Sequence, residues 1–296
     1  MPVNTKSNLI YFSIAIFSIF LFGACKQDGR SSNAKSIDIG EFKAEMIHDE
    51  AGPTPAENQF VHFHLDMYDG DNKYIQSSHT EDFMPVVRLI PRADIDKAKN
   101  PMMELLYELS VGDTASIYIP LDSIPNPTEE MKLTDAIIYK VTPKLIQNED
   151  EYKIYVQQKV DDAIANAEEK VFAYLDGKVE GDFREYGTGL KVTVLEEGDG
   201  EIPTRGQTVV ANYSGYTRDR NNFDNSFKTG RPFTFPLGMM RVIQGWDTGF
   251  GKLKVGSKAI LDIPPQLGYG EAGSPPNIKG NSDLIFYVEL LNVLDN

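Results

Sequence analysis

The chain has 296 residues, 41% of them hydrophobic and 25% charged, with a formal net charge of −15 at pH 7. That length favours two domains, and the composition is that of a globular protein rather than a disordered one. The acidic balance argues against binding nucleic acid or an anionic lipid surface through charge, and a single cysteine excludes an intramolecular disulfide.

Residues 1–25 read as a targeting segment outside the fold. Lys6 gives a positive start, residues 9–22 are an apolar run of fourteen broken only by two serines, and Gly23-Ala24 place small residues before Cys25. The run is shorter than the roughly 20 residues that a spanning helix needs. The pattern resembles a bacterial lipoprotein signal, which implies cleavage before Cys25 and a lipid on its thiol. Phe22 departs from the leucine such signals usually carry, and an uncleaved membrane anchor is the alternative. Both readings place the folded part in the cell envelope, facing the periplasm or the cell exterior. Residues 26–40 are small and polar without apolar periodicity, which predicts a flexible tether.

Residues 41–147 read as a mostly β domain. Phe60-Val61-His62-Phe63-His64-Leu65 alternates as a strand, Asp69-Gly70-Asp71-Asn72 turns the chain, and 102–109 has helical spacing for about two turns. His62, His64 and Asp66 alternate onto one strand face, where a metal site and a solvated face are the two readings. With no second ligand group at a recognisable spacing, the solvated face is preferred and no metal is assigned. Residues 148–181 change character. Tyr152, Tyr155, Val160, Ile164, Val171 and Leu175 fall at three- and four-residue steps, predicting an amphipathic linker helix that ends near Gly177. It packs one stripe on a domain, or offers a homodimer surface over 150–176.

Residues 182–296 form a second domain that opens with a strand over 188–195. Within it, Leu253-Lys254-Val255-Gly256, Ala259 and Ile263-Pro264 repeat the spacing of Leu109-Ser110-Val111-Gly112, Ala115 and Ile119-Pro120. Asp283-Leu284-Ile285-Phe286-Tyr287 likewise echoes Asp135-Ala136-Ile137-Ile138-Tyr139, so the chain carries an internal repeat.

Six motifs stand in order in the second domain: Val209-Val210-Ala211-Asn212-Tyr213-Ser214-Gly215, Phe223-Asp224-Asn225-Ser226, Arg231-Pro232-Phe233-Thr234-Phe235, Val242-Ile243-Gln244-Gly245-Trp246, Gly268-Tyr269-Gly270, and Leu284-Ile285-Phe286-Tyr287-Val288-Glu289-Leu290-Leu291. Together they resemble an FKBP-type peptidyl-prolyl isomerase domain over about 206–294. The resemblance implies an α+β protein of two FKBP-like domains, each an antiparallel sheet wrapped on a short helix, joined by the long amphipathic helix. It makes Trp246 the floor of a proline pocket, with Tyr213, Phe233 and Phe286 as walls. Phe223, Val242, Ile243 and Ile278 complete the lining. Asp224 takes a polar role near the substrate carbonyl, and Tyr269 donates a hydrogen bond to a substrate backbone carbonyl. Tyr213, Asp224, Trp246 and Tyr269 are thus the candidate catalytic set.

Two departures bear on the loops. Ile278-Lys279-Gly280-Asn281 replaces the family's usual Ile-Pro-Pro-Asn, and Thr229 stands where an arginine often braces the aspartate. The first copy is degenerate: counting from the shared Leu-x-Val-Gly sets Met102 opposite Trp246 and about His64 opposite Tyr213, with no Gly-Tyr-Gly after Pro120. Such a copy is expected to position, dimerise or bind.

The implied chemistry needs no acid, base, nucleophile, metal or cofactor. The planar amide resists rotation by about 18–20 kcal/mol, and a dry apolar pocket favours the twisted, less polar state. The expected clients are proline-containing exported or membrane-associated proteins. A non-catalytic, membrane-tethered chaperone or scaffold for such segments is the alternative.

Overall fold

The computed structural model describes residues 35–79, 84–95, 100–124, 127–128, 131–187 and 189–295. The predicted targeting segment with Cys25, and the start of the predicted tether, lie outside them. The chain divides into an N-terminal unit that runs through Val156 and a C-terminal unit from Gln157 onward.

The N-terminal unit contains β1 (Ser36–Ile39), β2 (Phe42–His48), β3 (Phe60–Asp69), β4 (Tyr74–Ser77), β5 (Val86–Arg88), α1 (Pro101–Glu108), β6 (Thr114–Pro120) and β7 (Ala136–Gln147). Its seven strands form one sheet in the order β1-β2-β6-β7-β3-β4, with β5 also on β3. β1 corrects the predicted tether. Ile37 and Ile39 alternate inward and pair with β2, so Ser36–Ile39 is sheet.

The solvated reading of the histidine face is also corrected. A bulge in the β3–β7 pairing between His62 and Phe63 breaks the alternation. His62 is 1% exposed, its Nε2 lies 2.8 Å from Gln147 Oε1, and Tyr155 meets its ring edge-on. His64 instead stacks on His79 at 3.7 Å between ring centres.

The C-terminal unit repeats the same order of elements: β8 (Asp182–Glu185), β9 (Lys191–Glu196), β10 (Thr208–Thr217), β11 (Asn222–Asn225), β12 (Phe233–Pro236), α3 (Gln244–Phe250), β13 (Lys258–Ile263) and β14 (Leu284–Leu294). Its sheet runs β11-β10-β14-β13-β9-β8, with β12 also on β10, which is the N-terminal order element for element. Every pairing in both sheets is antiparallel. β9 starts at Lys191 rather than 188 because Gly189, at φ 83°, turns the chain just before it. β8 has no apolar alternation to announce it, being an exposed edge strand paired only with β9.

Register corrects one repeat assignment. Ala115 and Ala259 share a place in the Val-Gly repeat and pair with Val141 and Val288; these pair in turn with Leu65 and Tyr213. Leu65, not His64, therefore stands at the place of Tyr213.

Between the sheets in sequence runs α2 (Glu149–Leu175). Asn148 Oδ1 accepts the N–H groups of Asp150 and Glu151, while Glu151 reaches back to the Asn148 N–H at 2.8 Å. This reciprocal cap starts the helix. Gly177, at φ 67°, ends it near the expected place, with the bonds Lys178 N–H to Ala173 O and Gly177 N–H to Tyr174 O.

The helix is no free linker. In the N-terminal unit Tyr152 stacks on Phe60 at 3.8 Å. In the C-terminal unit Ala167 and Val171 are fully buried against Tyr216, Ile260, Ile285 and Tyr287. The C-terminal sheet is thus covered on both faces. Along β14, Leu284, Phe286, Val288 and Leu290 join the core with α3, while Ile285 and Tyr287 join α2. A strand buried on both faces reads as a continuous apolar run, as this one does.

Candidate functional site

The site is built around α3. Gly245 lets this helix lie against β13, since a Cβ there would stand 2.5 Å from the Ile263 side chain. Trp246, on its first turn, is 5% exposed. Five rings surround the indole at centre distances of 4.9 Å (Tyr213), 5.2 Å (Phe286), 5.3 Å (Phe250), 5.5 Å (Phe235) and 5.8 Å (Phe233). Most meet it edge to face, the favoured geometry for aromatic pairs. The indole N–H is buried without an acceptor among the described residues, so packing rather than a side-chain hydrogen bond holds the indole.

Phe223 reaches the same cluster from β11, with its ring at 5.4 Å and 89° to Phe286. Gly215 makes room for both, because a Cβ there would lie 2.6 Å from the Phe286 ring and 2.7 Å from that of Phe223. Val242 and Ile243 pack partly buried on the same core, and Ile278 is buried in it. Ile278 is pinned by a two-way bridge, its N–H to Ser274 O at 3.0 Å and its carbonyl from Ser274 N–H at 2.9 Å. This bridge holds the loop whose sequence departs from the family pattern, and in which Pro275-Pro276 is cis.

The polar groups adjoin the rings. The Tyr213 hydroxyl donates to Asp224 Oδ2 at 2.6 Å, and the Asn225 N–H donates to Asp224 Oδ1 at 2.8 Å. Burial, then the bond to Asp224, pushes the Tyr213 hydroxyl well above the usual tyrosine range. Tyr269 is 41% exposed; burial, then the Asp224 charge, raises its hydroxyl too. Both hydroxyls are donors at neutral pH. Among the described residues no arginine pairs with Asp224: Thr229 caps its own turn through Ser226 O, and Tyr213 orients the aspartate instead.

The ten residues singled out from the motifs all lie in this one unit, around one cluster. Phe235 and Phe250 were missed there. The step of two from Phe233 was the available signal for Phe235, since i and i+2 share a strand face and the two rings stack at 5.9 Å. Between the β10–β11 turn and the loop before β14 lies a polar cleft of about 590 Å³, lined in part by Thr217, Arg218, Asp219, Asn221, Lys279 and Asp283.

An antiparallel sheet around a short Trp-bearing helix, with a tyrosine–aspartate pair beside the rings, defines an isomerase of the FKBP type. The family model described as FKBP-type peptidyl-prolyl cis-trans isomerase matches residues 200–291. FK506-binding protein 1 of Dictyostelium discoideum is 43% identical over 103 residues, which are 35% of this chain and 96% of that protein. FK506-binding protein of Neisseria meningitidis is 40% identical over 107 residues, 36% of this chain and 98% of the relative. The FKBP-type peptidyl-prolyl cis-trans isomerase FkpA of Escherichia coli is 49% identical over 106 residues, which span only 38% of its length. The crystal structure of that FkpA aligns with a TM-score of 0.37 at 38% identity, over 52% of this chain and 75% of the other.

The chain belongs to the FKBP-type peptidyl-prolyl cis–trans isomerase family. It is a peptidyl-prolyl cis–trans isomerase, an enzyme acting on X–Pro peptide bonds.

Proposed function

We propose that the C-terminal unit isomerises X–Pro bonds by holding the proline ring over Trp246 in a water-poor aromatic pocket, without covalent or metal chemistry. The observation that carries this reading is the buried indole inside five rings, with the Tyr213–Asp224 pair on the strands beside it. Tyr213, Phe233 and Phe286 act as walls, and Phe223, Val242, Ile243 and Ile278 complete the lining. Asp224, oriented by Tyr213, lies near the substrate carbonyl, and Tyr269 donates to a substrate backbone carbonyl. A planar amide is more polar than its twisted state, so a dry apolar site stabilises the twisted one preferentially.

The enzyme is lipidated on Cys25, stands in the cell envelope and serves proline-containing exported or membrane-associated clients. The apolar run, the small residues and the single cysteine of residues 9–25 support this placement.

The test is exchange of an X–Pro peptide, followed by NMR or by a coupled protease, in the full chain. Trp246→Leu keeps apolar volume but removes the ring, and should lower kcat/KM about tenfold or more, roughly 1.4 kcal/mol of transition-state stabilisation. Trp246 is the only tryptophan, so its emission should respond to proline peptides and to FK506, after which two of the relatives are named. Unchanged turnover in a folded Trp246→Leu protein, with a silent wild-type emission, would reject the pocket.

A further inference from the structure

Two arginines of the turn between β10 and β11 grip the end of α2. Arg218 donates from Nη2 to both carboxylate oxygens of Asp262, at 2.8 and 3.0 Å, and Asp262 also accepts the Tyr174 hydroxyl of α2 at 2.9 Å. Arg220 bonds Asp176, just past that helix, and lies 4.8 Å over the Phe172 ring. The turn is therefore fastened to α2 at two points.

Arg218 has a second hold. Its Nε donates to Asp283 Oδ2 at 2.8 Å, and Asp283 ends the loop that leads from Tyr269 into β14. Along that loop the Gly273 N–H donates to Tyr269 O at 3.2 Å, the Asn281 N–H to Gly270 O at 2.8 Å, and Ile278 is bridged to Ser274. Gly280 passes so close to Glu271 that a Cβ would stand 2.1 Å from its carbonyl oxygen. Tyr269 and Ile278 thus belong to one tightly tied loop, and the Arg218–Asp283 pair fixes its far end across the polar cleft. A charge-assisted bond from a planar guanidinium sets orientation as well as distance.

The N-terminal unit has no such clamp. Ile138 there stands at the place of Ile285, and its neighbours across the sheet are Tyr118 and Tyr68 where Ile285 has Asp262 and Tyr216. Two residues after Tyr68 comes Gly70, at the place of Arg218. The clamp belongs to the unit that carries the indole.

We propose that Arg218 is a positioning residue of the isomerase: it holds the loop bearing Tyr269 and Ile278, and α2 orients it through Tyr174 and Asp262. The long helix is on this account a working part of the active unit. The inference rests on the proline-pocket reading given above.

The test measures kcat and KM for an X–Pro peptide in the full chain, with hydrogen exchange of the Ile278 and Asn281 amides. The Asp283 side chain is 35% exposed, so Asp283→Ala cuts the loop free while Asp262 keeps both its partners. It should lower kcat/KM about three- to tenfold through KM, because a loop in place only part of the time weakens apparent affinity by that fraction. Exchange of the two loop amides should quicken while the β13 amides keep their rates, which general destabilisation would not produce. Asp283→Glu keeps the charge and should retain most of the activity. Tyr174→Phe should act in the same direction but less. In Tyr174→Phe/Asp283→Ala the loss should equal that of Asp283→Ala alone, since both changes act through Arg218.

An Asp283→Ala protein with kcat/KM within twofold of wild type, or with unaltered loop exchange, or with a loss through kcat alone, would overturn the inference. Losses that multiply in the double variant would overturn the role of α2. Trp246→Leu separates these failures from that of the pocket. If it abolishes turnover while Asp283→Ala is silent, the pocket stands and only the positioning role fails. If it turns over like wild type, the pocket reading fails and this inference with it.

Discussion

At the residue scale the site rests on one pair. The Tyr213 hydroxyl bonds Asp224 at 2.6 Å where the family pattern led one to expect an arginine. A hydrogen bond to a charged acceptor contributes about 1.5–3 kcal/mol, and leaving the carboxylate without it also frees its orientation. Tyr213→Phe should therefore lower both the urea midpoint and kcat/KM, the latter several-fold. Equal kcat/KM with a lowered midpoint would make the pair structural only. The identities of Tyr213, Asp224, Trp246 and Tyr269 were legible because they sit in ordered motifs. The bond between Tyr213 and Asp224 was not, because it depends on how β10 and β11 pair across a bulge at Gly215/Tyr216.

At the element scale α2 is fastened to the C-terminal sheet by charge as well as by packing. Asp262, 4% exposed on β13, accepts from the Tyr174 hydroxyl at 2.9 Å and from Arg218 at 2.8 Å; Arg218 also holds Asp283 at 2.8 Å. Burial, then the Asp262 charge, pushes the Tyr174 hydroxyl above its usual range. Arg218→Met leaves Asp262 buried with one partner and should cost about 1–3 kcal/mol, since Arg218 itself is half exposed and partly screened. Urea unfolding followed by Trp246 emission measures it, and a shift no larger than that of Tyr174→Phe would contradict the assignment.

In the N-terminal unit, burial lowers the pKa of His62, with its bond to Gln147 opposing. The neutral ring is favoured in the fold, so its contribution is complete above the unfolded value near 6.5 and is lost as pH falls through the lower folded value. Hydrogen exchange of the β3 amides should accelerate, relative to the intrinsic rate, between about pH 7 and 5, and less so in His62→Gln. A pH response identical in both proteins would exclude His62 as its source.

At the scale of the whole molecule, one order of strands is used twice with different linings. Where the C-terminal unit has Tyr213, Phe223, Phe235, Trp246 and Phe286, register and repeat place Leu65, Ile75, Val87, Met102 and Tyr139. This set, four aliphatic side chains and one tyrosine, packs into the N-terminal cores without an indole platform. All turnover should therefore fall with Trp246→Leu in the full chain. Anchoring is tested separately. Cys25→Ser should abolish lipid labelling and release or misprocess the protein, whereas a variant that still fractionates with membranes at unchanged size would point to an uncleaved anchor.

The sequence by itself determined the family, the long helix and its end, several central strands and the repeat, because period, capping and motif order are local properties of the chain. It could not say that 284–290 is apolar because two different partners cover its two faces, that His62 is inward, or that Leu65 rather than His64 answers to Tyr213. Each of these depends on which strand lies alongside and where a bulge slips the alternation by one residue. Such pairings join residues tens of positions apart, and only the tertiary structure decides them.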